Sequence, residues 1–483
     1  MEITPVGIVC LVACLLAIAR PISLGLPIFA IACPLQTAAA FNLPSVGNVS
    51  LLCAYVLLGA FIPAIALRPN YISSVVNYAS RSVPIWIFGA FTAYAVMTTL
   101  FMPRFFAGSV EVFTFDRPGG GYSEGLVSLG PTSGHLSQSL YAIAHFLMFA
   151  LLAYFFSIGD GLRRINTFIG ATTVTHLAFA LLSALPNLPL ASPILEFVRT
   201  SNYAILLHHE LAGITRIIGS YSEPSVLGAA SVILFAYNFV RYMQTRGVWY
   251  AAASVLLLCS ALASLSTTAF ATLGLLIVLW SAQSTFSLLR GGLKQEDLTL
   301  ILINAVLSSA IILVLFFEPA RSFALEIYNQ LFGAKLASAS GVQRGMWNEQ
   351  GLLNLVETNG FGVGLGSAKT SSLVTALLSN VGVIGFLLFF AFAFVTFLRP
   401  AAYQRLARQG QERILSVRLY SAGRAATIAA LLSQIISATS VNVNLYFYVF
   451  AAVATATLSK GVAVRSLRHN GGAPIGLPHA FRS

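Results

Sequence analysis

Long apolar runs, set apart by short polar stretches, dominate the chain from its first residues to about position 460. At roughly 20 residues per membrane-crossing helix, the runs predict spans near 4–19, 22–40, 47–67, 84–103, 137–158, 166–188 and 223–240. Further spans are expected near 248–265, 269–288, 298–317, 373–397, 420–437 and 444–460, thirteen in all. The first two are short and interrupted by Pro21, Pro27 and Pro34. Polar residues collect in three long segments, 104–136, 189–222 and 318–372, and in a tail over 461–483. Within the last long segment Phe323, Ile327 and Leu331 recur at i, i+4 and i+8, the spacing of a surface-lying amphipathic helix. The expected fold is one all-α polytopic membrane unit over 1–483 with about 12–13 transmembrane helices. No inverted repeat of hydropathy is visible, which argues against a repeat-built transporter.

Composition strengthens this reading. Of the 483 residues 57% are hydrophobic and 9% charged, where a soluble domain carries about 25% charged residues. A soluble enzyme, a secreted disulfide scaffold and a disordered chain are thereby excluded. The net charge of +12 is scattered between apolar runs and forms no dense basic stripe, so nucleic acid is not an expected partner. Lys and Arg instead fall asymmetrically between alternate loops, 18 on one side and 8 on the other, with Arg424 inside a span. The richer side should face the cytoplasm. That puts the tail inside and the three long segments outside, with the N-terminus outside for thirteen spans and inside for twelve. Ten of the fifteen acidic residues lie on the outer side, nine in these segments and Glu223 at the edge of the span that follows the second. The five cysteines sit in apolar runs without a CxxC pair, as small buried hydrophobes would. No A-x-A-like site separates the first two runs, so a removable signal peptide is not expected.

Chemistry is therefore sought in the outer segments. In GVQRGMWNEQGLLNLVETNG, Arg344 and Trp347 share a face if the stretch is helical, and a guanidinium beside an indole suits a sugar linked to a phosphate. In EFVRTSNYAILLHHELAGITRIIGSYSEPS, Arg199, Glu210, Arg216 and Glu223 lie close to apolar residues at a span's outer end. Arginine, planar and permanently charged, grips phosphate bidentately. His208-His209-Glu210 lacks a second histidine at HExxH spacing and any Cys or Asp cluster, so no metal is expected. Glu210 or His209 could contact substrate or act as a base, though satisfied interfacial groups explain them as well. The run GFGVGLGS fits no nucleotide loop, because Lys369 is out of register. A turn that lets backbone approach backbone, or a substrate, is the better reading. FDRPGGGYSEG at 115–125 reads as a flexible loop tip.

Three stretches, in order, resemble the bacterial O-antigen polymerase and ligase superfamily. RIIGSYSEPSVLGAA at 216–230 resembles its Arg-x-x-Gly-aromatic-x-Glu/Asn-Pro start of a span. The run ending LASLSTTAFATLG resembles the serine-rich helix that follows. QRGMWNEQGLLNLVETNGFGVGLGSAKTSSLVTALLSNVGVIG at 343–385 resembles its Arg-to-Trp, Gly-x-Gly and Gly-x-x-Gly sequence. The resemblance covers roughly 205–390. Ligases of the superfamily carry a histidine where this chain has Ser371, ahead of Ser372 and Gly382-Val383-Ile384-Gly385. That departure favours the polysaccharide-polymerase (Wzy-type) branch and leaves the general base open.

The resemblance implies a membrane-embedded glycosyltransferase of the GT-C-like class in the bacterial inner membrane. It implies an active site on the periplasmic face and undecaprenyl-pyrophosphate-linked glycans as donor and acceptor. It implies no cofactor and no obligatory metal. A chain-length regulator and a flippase of the same pathway are the implied protein partners, besides membrane lipid. Arg216 and Arg344 are the expected pyrophosphate clamp, with Arg321 and Arg199 as second choices. Glu223 could orient Arg216 or act as base, and Trp347 and Tyr221 could stack on sugars. An O-antigen ligase, a lipid-linked oligosaccharide flippase and a non-catalytic assembly subunit are the alternatives. A flippase should carry charge deep in several spans.

Overall fold

The computed structural model describes residues 1–43, 49–114, 125–203, 205, 210–211, 214–290, 298–302, 304–305, 309, 313, 316–329, 333, 339–398 and 411–469. It is an assembly of packed apolar helices. Among the described residues seven are long and apolar enough to cross a membrane: α5 (Val83–Phe105), α6 (Ser133–Ser157), α7 (Gly161–Ala184), α9 (Pro224–Thr245), α11 (Thr267–Leu289), α14 (Leu373–Ala393, continued by a π turn to Leu398) and α15 (Gln411–Ile436). Shorter apolar helices are α1 (Pro5–Ala19), α2 (Leu26–Ala32, entered through a π turn over Pro21–Gly25), α10 (Val248–Ala263) and the start of α16 (Leu445–His469). The chain is a multi-pass membrane protein.

Proline explains where the apolar pattern and the structure part. The expected span at 22–40 stops at Ala32 and gives way to strand β2 (Ala39–Leu43), which pairs with β1 (Glu2–Ile3) and β3 (Val49–Leu52). The expected span at 47–67 begins as β3, becomes α3 (Cys53–Ala66), and then turns through 111° into α4 (Pro69–Arg81). Pro69 crowds the residue before it out of the helical region, and Arg68 is extended at φ −130°, ψ 96°. Its guanidinium then caps the carbonyls of Ala64, Ile18 and Ala19. The expected span at 298–317 lies largely outside the described residues. Of the cysteines, four are buried, but Cys259 is exposed on α10.

The described residues of the three long segments include helices and short strand pairs. The first holds a hairpin of β4 (Glu111–Val112) and β5 (Val127–Ser128), whose tip at 115–124 lies outside the described residues. The second holds α8 (Ala191–Val198) and the short pair β6 (Glu210–Leu211) and β7 (Ile214–Thr215). The third holds α12 (Glu318–Tyr328) and α13 (Ala339–Glu357). The side chains of Phe323 and Ile327, and residue Leu331, lie outside the described residues. Lys369 donates its backbone N–H to Phe113 (2.7 Å) and Gln350 its side-chain amide to Glu111 (2.9 Å). These bonds draw the first and third segments together at one end of the bundle. The turn between α15 and α16 joins them there, with Thr370 N–H on the carbonyl of Thr439 (3.3 Å).

The glycine run is the keystone of that end. α14 is broken at Gly382, whose φ of 65° and ψ of −170° are open only to glycine. In an unbroken helix Ser379 and Asn380 would accept from Val383 and Ile384. Here their carbonyls accept from Val363 and Gly364, both at 2.8 Å, and the freed N–H of Val383 donates to Gly360 at 2.9 Å. Backbone groups displaced within an apolar layer must find partners, and residues 360–364 supply them. A Cβ on Gly362 would lie 2.7 Å from the nitrogen of Gly382. GFGVGLGS is thus a site of close backbone approach. The same contact gives the Gly382-x-x-Gly385 spacing a physical reason at its first glycine.

Candidate functional site

A cavity of about 380 Å³ opens at this end, among α9, α11, α13, the 367–371 segment and the α15–α16 turn. Helix α13 presents Ser340, Gln343, Arg344 and Trp347 to it, positions i, i+3, i+4 and i+7 of one helical face. Its other face leaves Val342, Met346, Leu353 and Val356 exposed, as an amphipathic helix at an apolar boundary would. The expected sharing of a face by Arg344 and Trp347 therefore holds, and both residues line one cavity.

Three charged residues meet there. Arg344 is half-buried and has no ion pair or hydrogen bond among the described residues. Lys369 places its ammonium 4.0 Å from the centroid of the Trp347 ring, within cation–π range. Glu223 stands just before the first turn of α9, where Pro224 at the first helical position starts the helix. Its carboxylate accepts from the Ser225 hydroxyl. Ser371, at the position of the ligase histidine, also lines the cavity, and its backbone N–H donates to the side-chain oxygen of Asn348 (2.8 Å).

The other expected site residues lie elsewhere. Arg216 does not line the cavity. Its Nε donates to the carbonyl of Ser264 (2.9 Å), and burial lowers its pKa while the nearby Glu223 carboxylate opposes that shift. Arg199 donates from Nε (3.2 Å) and Nη2 (2.8 Å) to the carbonyl of Gly219, which makes it a brace for the 216–223 segment. Arg321 is exposed on α12 and pairs with Glu318 one turn away. For Glu210 only the backbone is described, paired with Thr215. His209, with His208, lies outside the described residues.

Tyr221 requires a correction. It is fully buried, and its hydroxyl bonds His176 Nδ1 (2.8 Å) and the Tyr446 hydroxyl (2.7 Å). His176 Nε2 continues the chain to Ser231 (2.9 Å) and Ser231 to Ser260 (3.0 Å). No face of the ring is open to a sugar. Tyr221→Phe should therefore destabilise the protein by about 1–3 kcal/mol, the cost of leaving buried polar partners unmatched. Thermal unfolding in detergent would show it as a lower midpoint, and the KM for any glycan substrate should not change.

Two contributors were not singled out from the sequence. One is Lys369, which the sequence marks only as out of register for a nucleotide loop. The other is the end of α15 with the turn after it, where SQIISATSVNVN at 433–444 places seven Ser, Thr, Asn and Gln among twelve residues. That density between two apolar runs was the available signal.

The fold and cavity define a polytopic, all-helical membrane protein with a polar, charged site at one end of its bundle. No protein-family model matches the chain, and no curated protein matches it either.

Proposed function

We propose that this protein is a glycosyltransferase that joins undecaprenyl-pyrophosphate-linked oligosaccharide units into a polysaccharide at the periplasmic face of the bacterial inner membrane. One observation carries the reading: an uncommitted guanidinium, an ammonium seated on an indole and a carboxylate line one hydroxyl-rich cavity. Arg344 and Lys369 hold the diphosphate of the donor, and Trp347 supports the sugar attached to it. A hydroxyl of the acceptor attacks the anomeric carbon. The new glycosidic C–O bond forms as the bond to the pyrophosphate breaks, and the electron pair leaves on undecaprenyl pyrophosphate. The hydroxyl proton passes to the Glu223 carboxylate, which Ser225 and the charge of Arg216 hold in place. The preorganised cations stabilise charge that grows on the leaving group. The exposed apolar face of α13 lies alongside for the lipid chain.

The test is elongation of a lipid-pyrophosphate-linked repeat unit by the purified protein in nanodiscs. Wild type should build a ladder of products. Glu223→Gln should slow it by about 10²–10⁴-fold, the usual contribution of a general base, with an unchanged unfolding midpoint. Transfer only after addition of a lipid A core acceptor would replace the polymerase by a ligase. Absence of product under both conditions would remove the glycosyltransferase reading.

A further inference from the structure

The residues around the cavity divide by chemistry. Arg344, Lys369 and Glu223 come from α13, the segment after the glycine run and the start of α9. The stretch from Ser433 to Asn444 contributes hydroxyls and amides and no charge. Its backbone is held from several directions. Val441 and Val443 are buried, so that Asn442 and Asn444, alternating with them, line the cavity. The Asn442 amide donates to the backbone oxygen of Gln138 (3.1 Å) and to its side-chain oxygen (2.6 Å), while Asn444 caps α16 through the N–H of Tyr446 (2.9 Å). The Thr439 carbonyl, bonded to Thr370, ties the turn to the segment that bears Lys369.

Within this fixed frame the exposed Thr439 hydroxyl and two half-buried polar side chains are left over. Gln434 and Ser437 line the cavity, and neither side chain has a hydrogen-bond partner among the described residues. A rigid frame that presents an amide and a hydroxyl next to an indole is suited to a pyranose ring. The amide can donate and accept to vicinal hydroxyls, the indole covers the apolar ring face, and preorganisation keeps the ordering cost of binding low. A cavity of about 380 Å³ falls in the range of about 300–1,000 Å³ usual for small-molecule sites. A phosphate would be drawn to the cations instead, which leaves the uncharged stretch for sugar.

We infer that the last turn of α15 and the α15–α16 turn after it form the sugar-reading subsite of the cavity, in which Gln434 and Ser437 hydrogen-bond ring hydroxyls of the acceptor glycan. This assignment rests on the glycosyltransferase reading and adds to it the residues that select the acceptor. Charge at Arg344 and Lys369 sets affinity for the diphosphate. Gln434 and Ser437 set which sugar is taken.

The experiment separates the two layers. Methyl glycosides of glucose, galactose, rhamnose and N-acetylglucosamine would be titrated against the full chain in nanodiscs by saturation-transfer NMR. Binding of undecaprenyl pyrophosphate would be measured in parallel. At least one glycoside should bind wild type, and Gln434→Ala and Ser437→Ala should each weaken it about tenfold, the scale of one lost hydrogen bond. Undecaprenyl pyrophosphate binding and the unfolding midpoint should stay unchanged. Retained glycoside affinity in both variants, or no glycoside binding by wild type, overturns the subsite. Where undecaprenyl pyrophosphate still binds, only the subsite falls; where it does not bind wild type either, the glycosyltransferase reading falls with it.

Discussion

Arg344→Lys should slow elongation of a lipid-pyrophosphate-linked repeat unit by about a hundredfold or more while leaving the unfolding midpoint where it was. The two halves of that expectation have separate causes. Under the proposed function the rate falls because the planar guanidinium fork would grip a diphosphate in a way an ammonium cannot reproduce, and one oriented charge of this kind is worth about 3–4 kcal/mol of barrier. Stability is untouched because Arg344 has no ion pair or hydrogen bond among the described residues to lose. Arg199→Lys makes the opposite pair. Its guanidinium holds the carbonyl of Gly219 through two donors, so its loss should lower the midpoint and change the rate only through the fraction folded. A single-turnover rate and a thermal scan on both variants would separate them. Normal ladders from Arg344→Lys would remove it from the site.

Gly382→Ala is expected to be more damaging than any substitution at the cavity. The methyl group would run into the carbonyl of Gly360, and the backbone would have to hold φ 65°, ψ −170° with a Cβ. Such conformations cost about 1–3 kcal/mol before any clash is added, and displacement of residues 360–364 would unpair three backbone hydrogen bonds. A loss of about 4 kcal/mol or more places the change among the largest single-residue effects. It should appear as failure to yield a monodisperse protein in detergent. Gly59→Ala, with nothing within 4 Å of the added atom, is the control and should behave as wild type.

Much of the helical layout was legible because apolar runs of fixed length leave few alternatives. Seven of the expected spans are full-length helices, and four others are shorter ones. The errors fall at prolines. Pro69 converts a polar gap into a second helix at a steep angle, and the interrupted run at 22–40 ends in a strand. Hydropathy does not register either event. At the site, Arg344, Trp347 and Glu223 were legible from residue type and helical spacing. Arg199 and Tyr221 were misplaced for a common reason: a polar side chain near an apolar one looks the same whether a ligand or the protein satisfies it. For Tyr221 the partners are His176, 45 residues earlier, and Tyr446, 225 residues later. The polar density of 433–444 was readable, but neither its place beside Arg344 nor that of Lys369 was, because the cavity exists only once α13, the segment after it and the end of α15 come together.

The exchange of backbone partners at Gly382 also fixes an order of events during biogenesis. The glycine segment precedes α14 in the chain, so it leaves the ribosome first, yet it has nothing to pair with until that helix stands in the bilayer. A strongly apolar helix enters lipid at least cost with its own hydrogen bonds closed. The break at Gly382 can therefore open only when residues 360–364 arrive to take over the exposed carbonyls. Assembly of the cavity then comes after membrane integration as a separate maturation event, and a nascent protein can be fully inserted while its cavity is still incomplete.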